Sequence, residues 1–324
     1  MIVIDRDTVR AQLSMREAIA LLRPAMIALA RGETRQLLRG IIDLDAGRAF
    51  GVMPGALGAG RAFGAKLVSV WPDNFARGQP SHQGVVALFD PADGAPVALV
   101  HAGEITAIRT AAASALATDA LARRDATRLA VLGYGEQAER HVAAMACVRE
   151  IAEVRVWGRS PQRTADFVAR VGAHTGLALV AADSARDAVH GADIVCTTTA
   201  AAEPILHGDW ITPGTHLNLV GSSRAGPVEV DDALVVRSRF FADHREGVLR
   251  QGAEFLRAKA AGLVDDDHVL GDIGAVLAGD IAGRTSGADI TVYKSLGAIV
   301  QDLACAARLV ERARAEGYGT YVAF

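Results

Sequence analysis

Cysteine is scarce in this chain of 324 residues: there are three, Cys147, Cys196 and Cys305, far apart and odd in number. That excludes a disulfide-built scaffold, and neither a zinc spacing nor a paired redox spacing appears. Each cysteine reads as a small buried hydrophobe. Charge of one sign is lacking too: 34 Lys and Arg stand against 37 Asp and Glu, a formal charge of -3. Nothing in that balance calls for nucleic acid or another polyanion as partner, although a local basic pocket remains allowed. No stretch reaches the roughly 18 uninterrupted apolar residues of a membrane helix. The opening residues, MIVIDRDTVRAQLSMREAI, lack a basic segment followed by a long apolar run, so no export signal and a cytoplasmic protein are expected. Repeats and low-complexity tracts are missing as well. What remains is 51% hydrophobic and 22% charged, long enough for two domains, with 33 glycines that suit tight turns in an α/β protein.

The first 105 or so residues predict an α+β domain with a mainly antiparallel sheet. Met1–Ile4 is a short strand, and a helix begins at Asp7-Thr8-Val9. Ser14 and Glu17 form a capping box for a helix reaching about Ala30, with apolar residues at Ile19, Leu22, Met26 and Leu29. Strands are expected over Thr34–Leu44, Ala46–Pro54, Gly60–Val70, Val85–Asp90 and Val97–Val100, with a hairpin turn at DPADG, 90–94. A long alanine-rich helix follows from Glu104 to Arg124. From Thr127 strands and helices alternate, with strands at 128–132, 154–157, 177–180, 193–197, 216–220 and 234–237. HVAAM, QRTADFVARV and SARDAV read as helices between them. Val269–Ala278 reads as helix, Ile290–Tyr293 as strand and Leu296–Ala315 as the final helix. The terminal GYGTYVAF reads as an extended tail that returns to the first domain.

The segment LAVLGYGEQAER carries the most chemistry. A strand at Leu129–Leu132 runs into Gly133-Tyr134-Gly135-Glu136-Gln137-Ala138, a helical pattern follows, and a second strand ends at Gly158-Arg159-Ser160. Strand, glycine turn, helix and strand form the opening unit of a dinucleotide-binding sheet. Gly133 permits the turn, Gly135 admits a pyrophosphate, and Ala138 lets the helix pack on the strand. The amides of the helix start then face the phosphates. An NAD site usually presents a carboxylate after the second strand. Here Arg159 and Ser160 stand there instead, which favours NADPH through a 2′-phosphate contact and leaves NADH possible. Arg159 could equally stack on adenine or face solvent. Thr198 and Gly221, at two further strand ends, are expected near the nicotinamide, although such hydroxyls also satisfy turns.

Isolated cations mark a second site. Arg39 precedes Gly40, Lys66 sits in FGAKLV, and Arg109 lies on the alanine-rich helix in IRTAA. A cation among small apolar neighbours needs a task or a partner. A small organic anion explains all three, and a guanidinium grips a planar carboxylate with two prongs. Buried ion pairs are the alternative. His82, in PSHQG, either lines this pocket or serves a turn or an interface. His207, His216, His244 and His268 show no ligand spacing, so no metal is expected.

These stretches together resemble the ornithine cyclodeaminase/mu-crystallin family over essentially the whole chain. The matching residues are Gly64-Ala65-Lys66, the helix Ile105-Thr106-Ala107-x-Arg109-Thr110-Ala111-Ala112, the glycine turn, and Ala192-Asp193-Ile194 with Thr197–Thr199. Pro213-Gly214-Thr215-His216 and Lys294-Ser295-x-Gly297 with Asp302 complete them. The resemblance implies an α/β fold: a Rossmann-type doubly wound domain over 119–302, combined with an α+β substrate-binding and dimerisation domain over 1–118 completed by 303–324. It implies a homodimer, and a small imino or amino acid held by Arg39, Lys66 and Arg109. The family's lyases need an acid in the loop after the strand at 216–220. Ser223 stands at that position, so the chain looks like the reductase branch, which includes ketimine, pyrroline-2-carboxylate and iminosuccinate reductases and alanine dehydrogenase. The activity implied is NAD(P)H-dependent reduction of a small α-imino acid to the L-amino acid, reversible as dehydrogenation. Lys66 or a water oriented by Ser223 would be the proton donor. A lyase with tightly bound NAD and a non-catalytic binding protein are the alternatives.

Overall fold

The computed structural model describes residues 1–45 and 47–323. The chain divides into two compact units, Met1–Arg109 with Ala298–Phe324, and Thr110–Gly297. Among the described residues no helix is long and apolar enough to cross a membrane.

In the first unit the chain runs through β1 (Ile2–Ile4), α1 (Arg6–Gln12), α2 (Met15–Ala30), β2 (Arg35–Gln36), β3 (Gly40–Asp43), β4 (Ala49–Ala56), β5 (Phe63–Val70), β6 (His82–Phe89) and β7 (Pro96–His101). The sheet order is β1-β7-β6-β5-β4, with β2 and β3 both paired to β4. All pairings are antiparallel except β1 with β7. Two helices start on side chains that satisfy an otherwise orphaned amide: Asp5 accepts from Thr8 N, and Ser14 accepts from Glu17 N. Leu22, Ala25, Met26 and Leu29 form the buried stripe of α2. The expected strand over 34–44 is two short pieces, because the chain leaves the ladder at Leu38 and Arg39, after Leu37 N donates to Pro54 O at 3.4 Å. Ala46, expected to open a strand, lies outside the described residues. The hairpin at 90–94 closes as expected, with Asp90 Oδ1 accepting from Ala92 N and Gly94 at φ 78°.

The long helix α3 (Ala102–Leu121) begins in the first unit and continues into the second. It is buried on nearly every side, and its many alanines let neighbours approach closely. Its last carbonyls are met by a buried arginine: Arg149 donates to Thr118 O at 3.2 Å and Ala122 O at 3.1 Å. A cation at this end also complements the helix dipole.

The second unit contains β8 (Arg128–Leu132), α4 (Glu136–Met145), β9 (Glu153–Trp157), α5 (Pro161–Thr175), β10 (Leu179–Ala181), α6 (Ala185–Val189), β11 (Ile194–Thr197), β12 (His216–Leu219), α7 (Asp232–Arg237), β13 (Arg239–Ala242), α8 (Arg245–Gln251), α9 (Ala253–Ala260), β14 (Val269–Asp272), α10 (Ile273–Ala278) and β15 (Thr291–Lys294). Its sheet is wholly parallel in the order β10-β9-β8-β11-β12-β15-β13-β14. The first five positions follow the dinucleotide-binding order, which reverses between β8 and β11; ligands bind at the carboxyl ends beside such a switch. Strands buried on both faces carry continuous apolar runs, and Val195, Leu217, Leu219, Phe240 and Val292 form the centre of this core.

Two expectations fail here. Residues 234–237 are helical, not a strand. Asp231 caps α7 by accepting from Leu234 N, and Val236 is 44% exposed, so the run LVVR is only half inward-facing. Residues 269–278 are not one helix: Val269 pairs with Phe240 in β14, and α10 starts only after Asp272. The helices α8 and α9 had no counterpart in the sequence reading. The chain then re-enters the first unit through α11 (Ile299–Glu316), which packs on α2 and on β4, β5 and β6. The tail ends in β16 (Thr320–Tyr321), antiparallel to β1. Phe324 lies outside the described residues.

Candidate active site

The chemistry of the first unit gathers on β5, α3 and α11. Lys66 stands opposite Met53 and Val86 across the ladder, both buried, so its stem lies in apolar packing. Its ammonium donates to Asp302 Oδ1 at 3.0 Å and lies 3.4 Å from Thr106 Oγ1. Arg109 Nε stands 3.4 Å from the same Asp302 oxygen, and its Nη1 donates to Gln301 Oε1 at 2.7 Å. Lys66 and Arg109 are 3% exposed and Asp302 is 0%. Burial lowers the Lys66 pKa to about 7; Arg109 and Arg39 push it the same way, and Asp302 opposes them. For Asp302 burial raises the pKa, but Arg109 and Lys66 outweigh it and the net shift is downward.

Arg39 is half-buried in the segment between β2 and β3, near enough for its charge to act on Lys66. His82 is exposed at the start of β6, with Nδ1 3.0 Å from Ser81 Oγ. Desolvation and then the charges of Lys66 and Arg39 lower its pKa. The charges of Lys66, Arg109 and Arg39 thus act on one another, and Lys66 and Arg109 form the ion pairing that the sequence left open as the alternative. Asp302, Gln301 and Thr106 were given no role from sequence. The signal was present: Gln301-Asp302 interrupts the apolar start of α11, as Lys66 interrupts β5.

The second unit carries the glycine turn at the carboxyl end of β8. Gly133 has φ 127°, and a Cβ there would meet Thr198 Oγ1 at 2.6 Å. Gly135 is the N-cap of α4 with no side-chain cap, and a Cβ added to it would meet nothing within 4 Å. Glu136 and Gln137 open α4, and Ala138 is buried against the sheet. The ring of Tyr134 lies over Gly158, where a Cβ would stand 2.2 Å from it; this requirement for glycine was missed in the sequence. Arg159 is exposed. Ser160 caps α5, accepting from Arg163 N at 3.4 Å. Thr198 donates its hydroxyl to Leu132 O at 3.1 Å, so this hydroxyl satisfies the turn. The open glycine cradle and the helix-start amides fit a dinucleotide pyrophosphate.

The strand ends beside this turn are fastened by groups that the sequence reading overlooked. Glu229, fully buried, accepts from Thr197 Oγ1 (2.6 Å), Thr199 N (2.7 Å), Thr199 Oγ1 (2.8 Å) and Gly221 N (2.8 Å). Next to it Lys294 Nζ donates to Ser222 O at 2.6 Å and pairs with Glu254 at 2.8 Å, and Ser222 also donates to Glu254. Both sides of residues 221–222 are therefore fixed, and Ser223, half-exposed, follows directly.

Comparison with known proteins gives the family. The model of the ornithine cyclodeaminase/mu-crystallin family matches residues 2–317. Ketimine reductase mu-crystallin of Mus musculus is 35% identical over 303 residues, 91% of this chain and 92% of that protein. The Delta(1)-pyrroline-2-carboxylate reductase of Paracoccus denitrificans is 37% identical over 285 residues, 87% and 89% of the two chains. The structure of the Thermococcus litoralis Delta(1)-pyrroline-2-carboxylate reductase, in complex with NADH and L-proline, superposes with a TM-score of 0.96 at 33% identity, covering 99% of this chain and 100% of that one. Reductases of this family are NAD(P)-dependent oxidoreductases acting on CH–NH or CH–NH2 groups. From the matched span, the glycine cradle and the buried cation site, the chain belongs to the ornithine cyclodeaminase/mu-crystallin family, alongside its reductases.

Proposed function

We propose that this protein reduces a small α-imino acid to the L-amino acid with NAD(P)H, and runs the same reaction backwards as an amino-acid dehydrogenation. The observation that carries the reading is the buried set Lys66, Arg109 and Asp302, with the charge of Arg39 acting on it: Lys66 and Arg109 share one acid, so positive charge is left for a substrate carboxylate. Arg39 and Arg109 bind that carboxylate and fix the imino carbon, an orientation able to lower the barrier by about 5 kcal/mol or more. Lys66, with its pKa near neutrality, gives a proton to the imine nitrogen. The C=N bond becomes CH–NH: carbon gains a hydride and nitrogen a proton. A bound reduced nicotinamide supplies the hydride. A water oriented by Ser223 would be the alternative donor to Lys66, and His82 would line the substrate side.

For the cofactor, the turn Gly133–Ala138, through Tyr134, Glu136 and Gln137, holds the pyrophosphate at the start of α4. Thr198 and Gly221 flank the nicotinamide half. Arg159 and Ser160 meet the adenine ribose, and the lack of a carboxylate there favours NADPH while NADH remains usable. Serine at position 223 supports reduction over cyclodeamination, because a hydroxyl neither pairs with a side-chain ammonium nor acts as a base near neutral pH. We also propose a homodimer built on the first unit. Leu37, Ile41, Ile42 and Leu44 are exposed together on and beside β3, an apolar edge that a second copy would cover.

Three measurements test these readings. Steady-state assays with Delta(1)-pyrroline-2-carboxylate and other small imino acids should show turnover with reduced cofactor. Lys66→Met should lose about 100-fold or more while keeping cofactor affinity. Parental rates in Lys66→Met, or steady conversion of ornithine to proline with catalytic NAD, contradict the assignment. Arg159→Asp should weaken NADPH more than NADH; a parent that prefers NADH by about tenfold, roughly 1.4 kcal/mol, shows the arginine to be misread. Light scattering at micromolar concentration should give a dimer mass, and a strict monomer rules out the edge contact.

A further inference from the structure

We propose that Asp302 is a positioning residue for the proton-donating Lys66: one buried carboxylate oxygen holds the ammonium of Lys66 against the guanidinium of Arg109, and its charge keeps that lysine protonated. The proposal rests on the reading of Lys66 as proton donor given above, and it assigns a distinct role to a residue outside the cation trio.

Geometry carries it. Asp302 Oδ1 accepts from Lys66 Nζ at 3.0 Å and faces Arg109 Nε at 3.4 Å, and all three side chains are at most 4% exposed. A lone buried ammonium discharges, since desolvation disfavours the charged form. Two arginines nearby, Arg39 and Arg109, add repulsion. Asp302 is the acid that counters all of this, and it does so from the first turn of α11, where the helix dipole stabilises a carboxylate. Gln301, its chain neighbour, takes Arg109 Nη1, so one helical turn orients both cations.

Here one acid serves two cations, and among the described residues Asp302 Oδ2 is buried with no hydrogen-bond partner. Among the described residues, the other titratable groups whose charge couples to this cluster are His82 on β6, whose pKa is lowered, and Cys305 on α11, whose thiol is pushed up to about 12 by burial and then by Asp302. Neither replaces the carboxylate.

The sign follows from the charge. Lys66 acts as an acid in reduction and, in the reverse direction, as a base. Removing the negative charge in Asp302→Asn keeps the shape and an acceptor oxygen but lowers the Lys66 pKa. Reduction, present while Lys66 is protonated, is then lost at lower pH. Oxidation, present once Lys66 is neutral, appears at lower pH. Both limbs move the same way, which a general loss of stability does not do.

The chain has three lysines, Lys66, Lys259 and Lys294, so the titration can be observed directly. Protein labelled with [ε-13C]lysine is titrated by NMR, with the Lys66 signal assigned by its loss in Lys66→Met. The parent should titrate near neutrality, and Asp302→Asn should titrate about one pH unit or more lower. The reductive and oxidative pH limbs should shift by the same amount. Asp302→Glu should return both toward the parent, and Asp302→Ser serves if the asparagine variant does not fold. An unchanged Lys66 midpoint in the charge-removing variants, or limbs that move in opposite directions, overturns the proposal. If the parent turns over no imino acid, the reductase reading fails, while the NMR titration still decides whether Asp302 holds the proton on Lys66.

Discussion

A buried carboxylate shared by two cations is the constraint on which the first unit turns. Asp302 cannot be left unpaired in apolar surroundings, and neither can Lys66 or Arg109. The three therefore fix β5, α3 and the start of α11 relative to one another within that unit. This explains why α11, which follows the whole nucleotide-binding unit in sequence, packs back on β4, β5 and β6. The arrangement costs stability, because hydrophobic residues of similar size are often at least as stable as a buried ion pair. Positive charge left over near a lysine poised close to neutrality gives a chemical reason to keep it.

The second unit applies the same physics for a different purpose. Glu229 accepts four hydrogen bonds from the ends of β11 and β12, and burial raises its pKa by more than those bonds lower it. Lys294, Glu254 and Ser222 form a second buried cluster beside it. Strand-end loops next to a glycine cradle would otherwise be mobile connections. Two buried acids and a lysine hold them in one shape before any ligand arrives, which is what a preorganised cofactor site requires.

Much of this was legible in the sequence, where local rules and tertiary demands agree. The glycine turn and the flanking strands of the nucleotide unit follow from apolar runs punctuated by Gly133, Gly135 and Gly158. Ser14, Asp5 and the turn at 90–94 act within a few residues, so their signals survive without knowledge of the fold. The run at 234–237 misled because a β-branched stretch reads as strand whether or not a strand partner exists; the Asp231 cap decided otherwise. Asp302 and Glu229 were not assigned roles because their meaning is non-local: Lys66 and Asp302 are 236 positions apart. An acid in the first turn of a helix has a sufficient local explanation in the helix dipole, which hides a second task.

Proton uptake on binding a carboxylate tests the central claim most directly. A planar carboxylate such as pyrrole-2-carboxylate, titrated calorimetrically at pH 8 in buffers of different ionisation heat, places negative charge beside a largely neutral Lys66 and raises its pKa. The account predicts uptake of roughly half a proton per site, abolished in Lys66→Met. Binding with the same heat in every buffer would contradict a substrate anion held next to Lys66.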